Sequence, residues 1–153
     1  MTSPLLQLPN TYRAFYGAFT ILRPFQHEVI SPILQGQDLI LQASTGSGKT
    51  EAVLTPCLER LIASGRSEAI LYVVPTRALA QDLRRRLEPI IHERLSLRLG
   101  IRTGDVKRLP AGHADVMLTT PESLDVMLGS PNHDIRTFLQ RVSVLIIDEV
   151  HQF

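Results

Sequence analysis

The stretch Ala43-Ser44-Thr45-Gly46-Ser47-Gly48-Lys49-Thr50 limits what this chain can fold into more than any other. Such a loop works as a unit between a strand and a helix. Its successive backbone N–H groups turn inward, and glycines at 46 and 48 supply dihedrals and a close approach that a Cβ blocks. A helix starting near Lys49 adds the positive end of its dipole. The sequence therefore predicts a short strand over Asp38–Gln42, then the loop, then a helix from about Lys49 to Ala63 that Gly65 stops. The ligand that fits is a polyphosphate. Ser44, Thr45, Gly46, Ser47 and Gly48 form the cradle, Lys49 reaches the β and γ phosphates, and the Thr50 hydroxyl ligates Mg2+. One position departs from the usual pattern, which opens with glycine where this chain has Ala43. Alanine is small enough for the loop to survive.

A second segment, Val144-Leu145-Ile146-Ile147-Asp148-Glu149-Val150-His151, answers the first. A strand buried on both faces that ends in two acids is an odd place for charge unless a cation is near. Asp148 is expected to hold Mg2+ through water. Glu149 is expected to orient or deprotonate an attacking water. Together the two segments specify an Mg-ATP site with Glu149, Lys49 and Asp148 as its catalytic groups.

Strand and helix patterns alternate along the chain. Residues 1–10 read as a loose, proline-flanked start, followed by a short aromatic-rich helix over Tyr12–Phe19. Pro24 suits a first helical residue, with Phe25, Val29, Ile30 and Ile33 at helical spacing and Gly36 as the closing residue. Ala69–Val74 is the apolar run of a buried parallel strand. Thr76 caps a helix predicted to reach about Leu95, bent or split at Pro89. Further strands are expected over Leu97–Arg102, Asp115–Thr119 and Val142–Ile147, a turn at Gly104-Asp105, and helices from Pro121 and over Asp134–Gln140. This order predicts an α/β fold, a parallel sheet with helices on both faces.

Composition excludes several classes. With 44% apolar and 20% charged residues the chain is globular. No stretch approaches the roughly 18 apolar residues of a membrane helix, so no membrane partner is expected. Cys57 is alone, which excludes an internal disulfide and makes a reducing cytoplasm the default compartment. The five histidines lack zinc-like spacing. The net charge of +1 hides nine Lys/Arg against four Asp/Glu between Thr76 and Arg108. That zone is either a polyanion-binding face or a solvated helix surface. Arg84-Arg85-Arg86 project about 100° apart on a helix, so at most two can face one ligand; a solvated face is the favoured reading there.

Asp148-Glu149-Val150-His151 resembles the DEVH form of the DEAD/DEAH box in superfamily 2 helicases. Other stretches agree in order and spacing. Leu22-Arg23-Pro24-Phe25-Gln26 resembles the segment whose glutamine reads adenine, which assigns Gln26 to the base. Pro75-Thr76-Arg77-Ala78-Leu79-Ala80 resembles motif Ia, Arg102-Thr103-Gly104-Asp105 the GG-type motif, and Thr119-Thr120-Pro121-Glu122-Ser123-Leu124 motif Ib. The combination is closest to the Lhr-like (large helicase-related) group. It implies a P-loop, RecA-like fold, with a lead-in over residues 1–18 and an incomplete first motor domain over residues 19–153.

The resemblance implies ATP and Mg2+ as cofactors. It also implies a single-stranded nucleic acid, DNA ahead of RNA, gripped by its backbone at Pro75, Thr76, Arg77, Thr103, Gly104, Thr120, Pro121 and Glu122. Hydroxyls, an unshielded glycine N–H and two helix starts have the chemistry for phosphates. Thr76 and Thr120 are expected both to cap their helices and to contact phosphate. A complete motor also implies a second RecA-like domain in cis, with arginine fingers, and a further strand after the DEVH box. Neither follows Phe153, so this fragment is not expected to turn over ATP or unwind a duplex efficiently. In RecA-like sheets that further strand lies between the phosphate-loop strand and the DEVH strand, so Asp38–Gln42 and Val142–Ile147 are not expected to pair directly. The rival reading is an ATP-gated nucleic-acid-binding module, or a scaffold subunit of a nuclease or defence assembly, without unwinding.

Overall fold

The computed structural model describes residues 3–17, 21–104, 106–108 and 111–152. The chain gathers into two compact units, Met1–Ser64 and Gly65–Phe153.

The first unit is helical, with α1 (Pro4–Gln7), α2 (Tyr12–Tyr16), α3 (Pro24–Leu34) and α4 (Lys49–Ala63). Pro24 opens α3, and Gly36 follows it at φ +76°. Leu8, Tyr12, Tyr16 and Ile30 form one apolar cluster. Residues 3–10 are not loose, contrary to the sequence expectation. Glu59, buried on α4, accepts hydrogen bonds from the backbone N–H of Asn10 (3.1 Å) and Thr11 (2.9 Å) and from the Thr11 hydroxyl (2.8 Å). A buried carboxylate needs such donors, and the N-terminal segment supplies them. The expected helix to Phe19 ends at Tyr16; residues 18–20 lie outside the described residues.

The expected strand at residues 38–42 is absent. The segment has no ladder, and Ile40 is 94% exposed. A strand exists only through its partner, and the described residues of this unit contain no other strand.

The second unit is a five-stranded sheet in the order β3-β2-β4-β1-β5. It comprises β1 (Ala69–Val73), α5 (Arg77–Glu88), β2 (Leu99–Thr103), β3 (Val106–Arg108), β4 (Val116–Thr119), α6 (Pro121–Leu128), α7 (His133–Arg141) and β5 (Val142–Ile147). All ladders are parallel except β2–β3. That antiparallel pairing was not expected; of the turn expected at Gly104-Asp105, Asp105 lies outside the described residues. The helix after Thr76 does split at Pro89, where a π-helical stretch runs to Arg94.

The two crossovers leave the centre in opposite directions, β1 to β2 on one side and β4 to β5 on the other. With one handedness for both, their helices must lie on opposite faces. Ala69, Leu71, Val73 and Met117 accordingly pack against Met127 of α6 and Ile135 and Phe138 of α7. The alternate residues of the same strands face the other way, where Ala80, Leu83 and Leu87 of α5 are buried. Among the described residues β5 pairs with β1 alone, and residues 38–42 form no ladder.

One carboxylate ties together the starts of the four parallel strands. Asp115 immediately precedes β4, and its side chain is fully buried. It accepts from the Arg98 backbone N–H at 2.7 Å, from Arg98 Nη2 at 3.2 Å and from Arg66 Nη2 at 2.7 Å. Arg141 Nη2 lies 3.8 Å away and also donates to the carbonyl of Glu68. Arg98 directly precedes β2, Arg141 directly precedes β5, and Arg66 lies just ahead of β1. Burial alone raises the pKa of Asp115, but the hydrogen bonds from Arg98 and Arg66 outweigh it and hold the carboxyl below its ordinary value.

Candidate functional site

In the first unit residues 43–48 lead into the first turn of α4, without the strand expected ahead of them. Gly48 is the residue before α4 and has φ +89°. A Cβ there would lie 2.6 Å from Gln26 Nε2, so both dihedral and space demand glycine. Lys49 Nζ donates to the Ala43 carbonyl at 2.8 Å and thereby arches across the loop. Ser47 N–H donates to the Ser44 carbonyl at 3.2 Å. The Ser47 hydroxyl is buried and has no hydrogen-bond partner among the described residues. Ser44, Thr45 and Gly46 are exposed at the loop tip, and Thr50 is half-buried on the first turn of α4. An orphaned hydroxyl, a glycine cradle, an ammonium and a helix N-terminus together fit a polyphosphate.

Gln26, expected to read adenine, is buried beside this loop. Its Nε2 donates to the Gly48 carbonyl at 3.3 Å, and its Oε1 accepts from the Arg23 N–H at 3.0 Å. It thus ties the start of α3 to the loop. One N–H and one lone pair of the amide remain for a base edge.

In the second unit every other expected site residue lies where a parallel strand ends, the edge at which open α/β sheets bind ligands. β5 delivers Asp148 and Glu149. The Asp148 N–H donates to the Val73 carbonyl at 2.9 Å, which extends the ladder one step past β5. Asp148 Oδ2 accepts from the Tyr72 hydroxyl at 3.0 Å, and Oδ1 accepts from the Glu149 N–H at 2.9 Å. Glu149 has φ +53°, an unusual conformation for a residue with a side chain. His151 Nε2 lies 3.4 Å from the Glu149 carboxylate. The sequence reading missed Tyr72, which is 76 residues from its partner.

β1 leads into Pro75, Thr76 and Arg77, β2 ends at Thr103 and Gly104, and β4 leads into Thr120, Pro121 and Glu122. Thr76 caps α5 as expected, its hydroxyl accepting from the Leu79 N–H at 3.2 Å. Thr120 does not cap α6 with its side chain; its hydroxyl donates instead to Ser123 Oγ at 3.2 Å. The reason is local. Ser123 Oγ already accepts from the Gly104 N–H at 2.9 Å, so the glycine N–H expected to be unshielded is engaged, and that hydroxyl pair stitches the start of α6 to the end of β2. Ser123 was thus overlooked as a contributor, although it stands inside the quoted motif.

Gly104 has φ +51°, and a Cβ on it would lie 2.5 Å from Arg77 Cζ, so the guanidinium lies flat against bare backbone. Arg77 is exposed and has no acidic partner among the described residues. The Thr103 hydroxyl is buried and has no partner among the described residues. Glu122 is exposed on the first turn of α6. Of the three consecutive arginines, Arg84 pairs with Glu88 at 2.7 Å while Arg85 and Arg86 are exposed, in line with a solvated face.

The family model for the DEAD/DEAH box helicase matches residues 23–153. The chain belongs to the DEAD/DEAH box helicase family. Among characterised relatives it is similar to the ATP-dependent helicase Lhr-Core protein 2 of Thermococcus barophilus, at 32% identity over 92% of this chain and 18% of the relative. It is also similar to the Lhr helicase/uracil glycosylase of Escherichia coli, at 34% identity over 94% of this chain and 11% of that protein. The chain therefore spans less than a fifth of the length of these relatives. Among solved structures the DUF1998 helicase MrfA superimposes with a TM-score of 0.80 at 22% identity, over 95% of this chain and 23% of MrfA. This DEAD/DEAH box chain thus has the α/β RecA-like helicase fold. No helix among its described residues is long and apolar enough to cross a membrane.

Proposed function

We propose that this chain is an ATP-binding part of an ATP-dependent nucleic-acid helicase or translocase, and that it grips the backbone of a single strand. In this reading residues 1–18 are a lead-in and residues 19–153 are part of a first motor domain. Ser44, Thr45, Gly46, Ser47, Gly48, Lys49 and Thr50 hold the triphosphate, Gln26 meets the adenine, and Thr50 and Asp148 hold Mg2+. Bound Mg-ATP supplies the phosphoryl group and the charge neutralisation that its transfer requires. Lys49 places its positive charge on the transferring phosphate, and Glu149 orients the attacking water and takes its proton. The reading assigns turnover to the chain together with a second RecA-like domain, not to residues 1–153 alone.

One observation carries the nucleic-acid half. Three strand ends converge on a single edge, where Arg77 has no acidic partner among the described residues, its guanidinium lies over Gly104, and two helix N-termini stand beside it. Each of these groups suits a phosphate and none reads a base. The structures of relatives include an MrfA bound to DNA, with a TM-score of 0.77 at 21% identity. DNA is accordingly the first partner to test, with RNA as the comparison.

The test is titration of the chain with fluorescent oligo-dT and oligo-rU across a salt series. Three or four phosphate contacts give a slope of log K against log salt of roughly −2 to −3 on a single strand. Arg77→Ala should lower the magnitude of that slope by about 0.7, the weight of one phosphate contact. Binding that ignores salt, or that depends strongly on sequence, would refute a backbone grip.

A further inference from the structure

We propose that Tyr72 is a positioning residue for Asp148, setting how tightly Mg2+ is held when nucleotide is bound; this rests on the Mg-ATP reading above. Tyr72 is buried in β1 at 2% exposure, on the strand that pairs with β5 in parallel register. It stands opposite Ile146, so the side chain two residues on, Asp148, projects from the same sheet face. The phenol runs along that face and ends with its hydroxyl 3.0 Å from Asp148 Oδ2. The opposite oxygen is held by the Glu149 N–H, and the Asp148 backbone N–H is held by Val73.

Asp148 is therefore fixed at three points, two of them on β1. An ionised carboxylate offers about four lone-pair sites, so two remain after these side-chain bonds. With the rotamer locked, those two point in a set direction. A cation or its bound water then meets an oriented carboxylate and does not have to immobilise it. Tyr72 makes no claim on the metal itself. Its contribution is to remove the torsional freedom that Asp148, at the end of an edge strand and ahead of a residue at φ +53°, would otherwise have.

The test follows a fluorescent ATP analogue binding to the full chain while Mg2+ is varied, for wild type and Tyr72→Phe, alongside the analogue's affinity in EDTA and the urea midpoint of each protein. Phenylalanine keeps the ring and removes only the hydroxyl. Tyr72→Phe should raise the Mg2+ concentration at half-saturation about fivefold, the weight of one net hydrogen bond, with metal-free affinity unchanged. An unchanged Mg2+ midpoint in Tyr72→Phe would overturn the role of Tyr72 and leave the Mg-ATP reading standing. A parallel loss of metal-free affinity would overturn it too, since general loosening then accounts for the effect. Wild-type binding that is indifferent to Mg2+ would remove the reading on which the proposal rests.

Discussion

Asp115→Ala should destabilise the chain by about 3 kcal/mol, a large share of the 5–15 kcal/mol that keeps a typical domain folded. The residue is distant in sequence from both nucleotide motifs. Breaking a buried ion pair from one side costs about 3–5 kcal/mol because the remaining charge is left uncompensated. The low end applies here because the side chains of Arg66 and Arg98 are each 40% exposed and can turn to water. Arg141 has less room at 21%, and the Arg98 N–H loses its acceptor. Asp115→Asn keeps the shape and one acceptor oxygen, so its loss should be smaller. Urea titration of both variants checks the ranking, and near-equal midpoints to wild type would refute the clamp.

The same group gives a pH dependence with a definite sign. The folded carboxyl titrates below its ordinary value of 3.8. Its contribution is therefore complete above that value and lost as pH falls through the folded pKa. Wild type should lose stability in acid below about pH 4, and Asp115→Asn should show a shallower acid limb.

The second large effect concerns Lys49→Ala. Lys49 is the only side-chain cation in the Ala43–Thr50 loop, and its ammonium is held over the loop by the Ala43 carbonyl. A hydrogen bond from a charged donor is worth about 1.5–3 kcal/mol, so Mg-ATP affinity should fall by roughly 10- to 150-fold. Alanine is a strong helix former at the first residue of α4, and the far-ultraviolet spectrum should not change. Calorimetric titration reads the affinity directly. Equal affinity in the variant would mean that the loop is not a phosphate site.

What the sequence made legible was local or periodic. The bounds of α4 over Lys49–Ala63 and of β5 over Val142–Ile147 match the sequence because helical spacing and an apolar run each act within a few residues, but β5 is not buried on both faces as expected: it pairs on one side, among the described residues, and leaves Leu145 and Ile147 half-exposed. What escaped depended on partners. Residues 38–42 carry the right apolar pattern, but a strand needs a neighbour, and the pattern does not say where one lies. The three-residue β3 offers only Val-Lys-Arg, too short and too polar to signal pairing. Asp115 was read as the first residue of a strand; a single acid before an apolar run does not announce three arginines from 17 to 49 residues away. The link from Tyr72 to Asp148 becomes legible only once the β1–β5 register is known.

The four parallel strands begin at one clamp and end at one chemical edge, and this has a consequence for how the chain tolerates change. Substitutions near the strand starts act through Asp115 and alter how much protein is folded. Substitutions near the strand ends meet the Thr103 hydroxyl, Glu149 at positive φ and Gly104 beneath Arg77. These groups contribute little packing, so variants there can fold well and still lose binding. A saturation scan should therefore divide by position along each strand into abundance phenotypes and binding phenotypes, with the boundary near the strand midpoints. An inactive variant could then be diagnosed from its place in β1, β2, β4 or β5 before any assay of its fold.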